Sequence, residues 1–213
     1  MDSEKHLDNI KILSEKSGIE IIVIDEAEKI TNINATRFLR RLTGSSYIDD
    51  PIQSEIRQEF PKAKTVELTG ISFLVDNNII KEKLDTLNKK FAYRNCIAFI
   101  SDDSYRNDNK QTISIIHSSD KYNALRLQET SGGSYIFSTD SLITKLNVLE
   151  QKYPFDFIGV GNDWLVIKIK NKPTDWEDLA KEILKVCPNN ETTIRDFAQA
   201  LQKENGQTTM WWD

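Results

Sequence analysis

The chain has 213 residues, 38% of them hydrophobic and 29% charged, a balance that suits a globular protein with a sizeable core. Its net charge of −5 argues against a general nucleic-acid binder and leaves an acidic surface that suits a basic partner. Met1-Asp-Ser-Glu-Lys-His is polar where a leader would be basic and then apolar, and no apolar run reaches the roughly 18 residues that span a bilayer, so a cytoplasmic protein without membrane segments is expected.

Ser3 reads as the N-cap of a first helix carrying Leu7, Ile10 and Leu13 and ended by Gly18. The β-branched run from Ile19 to Asp25 then predicts a buried strand. Ala35, Phe38, Leu39 and Leu42, before Gly44, have helical spacing, which leaves Arg37, Arg40 and Arg41 on a solvated helix face. Asp50-Pro51 opens a further predicted helix through Ile52, Ile56 and Phe60, stopped by Pro61. Thr65 to Leu68 and Ile71 to Val75 predict strands interrupted by Gly70. Asn77 or Asn78 then caps a helix marked by Ile80, Leu84, Leu87 and Phe91.

Cys96–Ser101 and Thr112–His117 predict strands joined by a polar, exposed loop, and Asp120–Gln128 predicts a short helix, with a β-strand as the alternative for its last residues. Ser131-Gly-Gly-Ser134 lacks the spacing and the Lys-Ser/Thr of a phosphate-binding loop and reads as a turn before an extended Tyr135–Phe137. Thr139 or Asp140 caps a helix with Leu142, Ile143, Leu146, Leu149 and Tyr153 facing inward. Two runs rich in β-branched and aromatic residues flank Gly161-Asn162 and predict a hairpin with a two-residue type II′ turn, Val160 opposite Asp163 and Gly159 opposite Trp164, the indole lying over the glycine. Both faces of this hairpin are apolar near the turn, which calls for cover on each side, with water only towards Lys168 and Lys170.

Thr174 and Glu177 form a capping box for a helix through Trp176, Leu179, Ala180 and Ile183, and Thr193 with Asp196 caps another through Ile194, Phe197, Ala198 and Leu201. Thr208 to Trp212 closes the chain as a strand. Burying both Trp211 and Trp212 would place that strand inside the sheet and away from a bare edge. The pattern predicts an α+β fold, a mixed β-sheet with helices packed on both faces and the C-terminal strand inserted in the sheet. It divides into an N-terminal α/β lobe, residues 1–92, and a C-terminal α+β domain, residues 93–213, or forms one compact unit.

The C-terminal region resembles a bacterial family, domain of unknown function 4253. The resemblance rests on Phe157-Ile-Gly-Val-Gly-Asn-Asp-Trp-Leu165, on Cys187-Pro188 at a helix end and on the terminal Trp211-Trp212-Asp213, and it covers roughly residues 91–213. It implies no particular chemistry, because the family's function is uncharacterised. Similar sequences follow Cys-Pro with a longer loop that contains an acidic residue and a Gln-Gly pair, whereas here only Asn189-Asn-Glu191 precedes Thr192.

No residue stands in a recognisable catalytic motif. His6 and His117 have no Ser or Cys partner placed beside them, and Cys96 and Cys187 lie far apart without metal-ligand spacing, so they read as buried thiols and neither a metal nor a cofactor is expected. Asp102 and Asp103 at a strand end, with Asp156 and Asp163 on the hairpin, are the carboxylates that a metal-assisted hydrolase would use. All four tryptophans fall between Trp164 and Trp212. They pack a core, or one or two line a groove in which Asp156, Asp163, Trp164, Trp212 and Asp213 meet a protein partner. The main expectation is a non-enzymatic intracellular binding protein that neutralises a toxin or another basic partner. Metal-assisted hydrolysis is the alternative.

Overall fold

The computed structural model describes residues 2–41, 65–102, 109–132, 138–188 and 192–212. The first half contains α1 (Asp2–Ser17), α2 (Ile21–Thr31), β1 (Thr36–Arg41), β2 (Thr65–Asp76), α3 (Ile80–Phe91), β3 (Cys96–Asp102) and β4 (Lys110–His117). The second half contains α4 (Tyr122–Gln128), α5 (Thr139–Lys152), β5 (Phe155–Val160), β6 (Trp164–Ile169), α6 (Trp176–Val186), α7 (Ile194–Lys203) and β7 (Gln207–Trp211). The strands form one mixed sheet in the order β1-β2-β4-β3-β5-β6-β7. Neighbours are antiparallel except β3 and β5, which meet in parallel at Ile100 and Gly159.

Alternation along the strands divides the apolar side chains between two cores. Ile71, Phe73, Val75, Ala98, Ile113 and Ile115 face one side and pack with Ile10 of α1, Val23 and Ile24 of α2 and Leu84 and Leu87 of α3. Phe38, Phe99, Ile116, Phe155, Phe157, Leu165, Ile167 and Met210 face the other and pack with α4 to α7. The fold is therefore α+β with helices on both faces, and the C-terminal strand is part of the sheet. Within it, β7 is the outer strand, paired only with β6 among the described residues, where the reading of two buried tryptophans placed it away from an edge.

Two elements differ in kind from the sequence reading. Ile19–Asp25 is not a strand: residues from Ile21 onward form α2, which buries Val23, Ile24, Ala27 and Thr31 and leaves Ile21 and Ile22 exposed. Burial of one helical stripe against the sheet outweighs the β preference of the branched side chains, because helix stability in proteins comes mostly from packing. Ala35 to Arg41 is not a helix: β1 buries Phe38 and exposes Leu39, a period of two. Its arginines consequently separate. Arg37 pairs with Glu67 at 2.6 Å in solvent, whereas Arg40 is buried and its guanidinium meets Glu129 at 2.7 Å.

Local signals hold elsewhere with small shifts, except that neither Asn77 nor Asn78 caps α3, whose N-cap is Ile79 with no side-chain bond. Gly18 ends α1 at φ 71°, but Ser3 lies inside that helix, so it is not its cap. β2 runs unbroken through Gly70, whose φ of 131° and missing side chain allow it: a Cβ there would sit 2.7 Å from the Ile115 carbonyl oxygen. Ser138, and not Thr139 or Asp140, caps α5 by accepting from the Ser141 N–H. Asp175 replaces the Thr174–Glu177 box, its carboxylate accepting from the N–H groups of Glu177 at 2.9 Å and Asp178 at 3.1 Å. Thr193 caps α7 as expected. Leu42, Gly44, the Asp50–Phe60 helix, Tyr135–Phe137 and Asn189–Glu191 lie outside the described residues.

Helices α5 and α6 are joined by charge. Lys152 Nζ reaches Asp178 at 2.6 Å and Glu182 at 3.1 Å, and the Tyr153 hydroxyl donates to Asp178. Hydrogen bonds from Lys152 and Tyr153 hold the Asp178 carboxyl below its ordinary range, and those from Lys185 and Lys152 do the same for Glu182. A depressed folded-state pKa means that the ionised carboxylate favours the folded state. This contribution is present above the unfolded-state value of about 4 and is lost as pH falls through the lower folded-state value. The melting temperature is expected to fall on acidification below about pH 4, and Lys152→Met to flatten that fall. An acid profile unchanged by Lys152→Met would remove this cluster from the account.

Candidate interaction face

The β5–β6 hairpin forms, but its turn falls one residue later than expected, with Gly161 facing Trp164 across Asn162-Asp163. Val160 pairs with Leu165, Gly159 with Val166 and Phe157 with Ile167, with an irregularity between Phe157 and Gly159, and the Gly161 N–H closes the turn on the Trp164 carbonyl at 2.9 Å. Contacts from distant residues hold this shifted turn. The Thr130 hydroxyl donates to the Gly161 carbonyl at 2.5 Å, Asn162 Nδ2 to the Gln128 carbonyl at 3.2 Å and the Ser131 N–H to the Asn162 carbonyl at 2.9 Å. Gln128 itself bridges the carbonyls of Ser101 and Val160 at 3.0 and 3.1 Å, which ties the ends of β3 and β5 together. Together these bonds satisfy the backbone of a turn that strand pairing leaves open.

At its other end the hairpin is anchored by Lys121. Its ammonium lies 4.0 Å from the centroid of the Phe155 ring, donates to the Phe155 carbonyl at 2.6 Å and pairs with Glu150, which also accepts from the Tyr122 hydroxyl at 2.7 Å. Burial lowers the pKa of this lysine against the opposing pull of Glu150. Nothing in the sequence marks this residue. It follows a turn, and only the return of β5 beneath it creates the aromatic surroundings.

The indole of Trp164 does lie over Gly159, although Gly159 pairs with Val166. A Cβ at Gly159 would stand 2.6 Å from the Trp164 ring, and one at Gly161 2.0 Å from its Nε1. Trp164 is thereby buried on the side of the sheet that carries α1 to α3 further along. Those helices pack on β1 to β4. Over β6 and β7 the same side presents Trp164 opposite Trp211, Val166 opposite Thr209 and Lys168 opposite Gln207. Among the described residues this part of the sheet is only partly covered: Thr209 is exposed, Val166 half-buried and Trp211 38% exposed.

The other predicted site residues are dispersed. Trp212 faces the core on the opposite side, 5% exposed, with its Nε1–H donating to the Val186 carbonyl at 3.4 Å and its backbone N–H to the Asp163 carbonyl at 2.8 Å. Trp211, which the sequence reading did not select, is the tryptophan turned to solvent. Strand parity carries the signal, because Met210 and Trp212 share one face. Asp156 is exposed at the far end of β5 and pairs with Lys170 at 2.8 Å. Asp163 is in the turn, roughly 13 Å or more from Asp156 at about 3.3 Å per residue along the strand. Through the parallel pairing of β3 and β5, the end of β3 at Asp102 lies with the Asp163 end, so Asp156 does not join Asp102 and Asp163. Asp103 and Asp213 lie outside the described residues.

Among the described residues no three His, Cys, Asp or Glu side chains gather so as to hold a metal ion, and no helix is long and apolar enough to cross a membrane. Neither cysteine forms a disulfide; burial pushes the Cys96 thiol up to about 11, and the Cys187 thiol donates to the Trp211 carbonyl at 3.3 Å.

Fold and site thus define an α+β protein with a tryptophan-bearing strip of open sheet at its C-terminal end. Residues 112–213, from within β4 to the end of the chain, match the family described as Domain of unknown function (DUF4253), the family that the hairpin, the Cys-Pro pair and the terminal tryptophans resemble. No curated protein and no solved structure matches the chain.

Proposed function

We propose that the chain is a non-enzymatic interaction protein working inside the cell, and that it binds a basic protein partner through the open sheet surface of Trp164, Val166, Thr209 and Trp211. The observation that carries this reading is the exposed indole of Trp211 beside the partly covered strip of β6, since an aromatic side chain on an otherwise packed sheet supplies contact area at low entropic cost. The net charge of −5 supports a partner of opposite sign. A toxin that this protein neutralises is the concrete instance, and such a partner is expected to be encoded by a neighbouring gene.

Co-expression with the products of adjacent genes, followed by calorimetry on any complex, tests the proposal. Trp211→Ala is expected to weaken binding about tenfold or more, equivalent to ~1.4 kcal/mol, while the free protein stays folded with a melting temperature lower by only about 2–4 °C. Val148→Ala, at an exposed position on α5, is expected to leave the affinity unchanged. A complex whose affinity ignores Trp211→Ala would remove this face from the interaction.

A further inference from the structure

The two outer strands of the sheet differ in how they meet solvent. β1 is irregular between Arg37 and Phe38 and has arginines at positions 37, 40 and 41, features that discourage another strand from adding to an edge. β7 reads Gln-Thr-Thr-Met-Trp, with no charge, no proline and no irregularity in its pairing with β6. The hydrogen bonds at the two ends of that ladder, Trp212 N–H to the Asp163 carbonyl and Ile169 N–H to the Gly206 carbonyl, set its alternation. Residues 208 and 210 turn their backbone groups to β6, and residues 207, 209 and 211 turn theirs away. The Gln207 N–H is satisfied by the Glu204 carbonyl at 3.1 Å, and the Trp211 carbonyl accepts the Cys187 thiol at 3.3 Å. Thr209, at the centre of the strand and exposed, offers both its N–H and its carbonyl to the edge.

We infer that β7 is a self-association edge, on which a second copy of this chain docks its own β7 antiparallel about a two-fold axis at Thr209. Such an axis makes the two Thr209 residues a hydrogen-bonded pair exchanging two N–H···O bonds, and it sets Gln207 opposite the partner's Trp211. The interface then needs only groups that this chain supplies. A foreign strand would be selected by charge or by side-chain pockets, and the uncharged Gln207–Trp211 strand offers no charge for that purpose. Threonine opposite threonine is a favourable cross-strand pair. Pairing also joins two open strips into one broader face with a Trp211 from each copy, which is independent of whether a basic protein binds there. Two strands of five residues bury less than the ~1,200 Å² of a standard interface, so the dimer is reversible.

Sedimentation velocity from low micromolar to near-millimolar concentration tests this on the full chain. Wild type is expected to shift from monomer to dimer. Thr209→Lys, which places two ammonium groups at the axis, is expected to weaken the dimer about tenfold or more while retaining the wild-type melting temperature. Val148→Lys, the same charge added on α5, is expected to associate as wild type does. Wild type that stays monomeric throughout overturns the inference, and so does a dimer that Thr209→Lys and Val148→Lys affect equally.

Discussion

A chain that stops at Thr209 is expected to be insoluble or unfolded under conditions in which the full chain is folded. The deletion removes Met210 and Trp212, which are 2% and 5% exposed in the core beneath α6 and α7. Truncating a buried Trp to Ala costs about 3–5 kcal/mol and a buried Met about 2–5 kcal/mol, and the stability of a whole domain is only about 5–15 kcal/mol. Deletion also takes away the Trp212 N–H bond to the Asp163 carbonyl and with it the last rung between β6 and β7. The single substitutions separate the two indoles. Trp212→Ala is expected to lose about 3–5 kcal/mol, whereas Trp211→Ala, at 38% exposure, is expected to lose about 1 kcal/mol. Denaturant titration of the three variants measures this. A truncated chain that melts with the full-length protein, or two tryptophan variants of equal stability, would refute the assignment of Trp212 to the core and Trp211 to solvent.

Gly161→Ala is expected to cost about 1–3 kcal/mol, and Gly159→Val at least as much, because overpacking forces side chains and backbone to shift. The new Cβ would stand 2.0 Å from Trp164 Nε1 at position 161 and 2.6 Å from the same ring at position 159. The ring has no easy retreat, because Gly161 and Asn162 are tied to Thr130 and Gln128 and the backbone of the turn is held on both sides. The prediction is specific to the indole: in a Trp164→Ala background, Gly159→Ala is expected to be nearly harmless, a non-additivity that a double-mutant cycle resolves. Additive losses would show that the glycines are required by the backbone and not by the ring above them.

How far these features could be read beforehand depends on the range of the interaction that makes them. The Gly159–Trp164 contact was legible, because a glycine and a tryptophan at the ends of a tight hairpin have few ways to pack. The turn that brings them together was not. A two-residue type II′ turn at Gly161-Asn162 satisfies local rules, but hydrogen bonds with Gln128, Thr130 and Ser131 hold the turn one residue later, at Asn162-Asp163, and those donors and acceptors lie some thirty residues away in the chain. The choice of Trp212 over Trp211 failed for a related reason. Parity along the strand separates the two indoles without saying which face meets the helices.

Local chemistry in the sequence by itself determined the α+β class, the positions of α3 to α7, the hairpin and the terminal strand. Their hydrophobic periods and helix stops, with the Thr193 cap of α7, act within a few residues. Tertiary structure alone decided that the β-branched start of α2 is helical, that Phe38 and Arg40 belong to a strand and that Lys121 sits among aromatic rings. It also decided that, among the described residues, β7 is the outer strand and Trp211 is partly exposed. Each of these outcomes depends on which surface an element is buried against, and burial of a face is worth more than the propensity of the residues that form it.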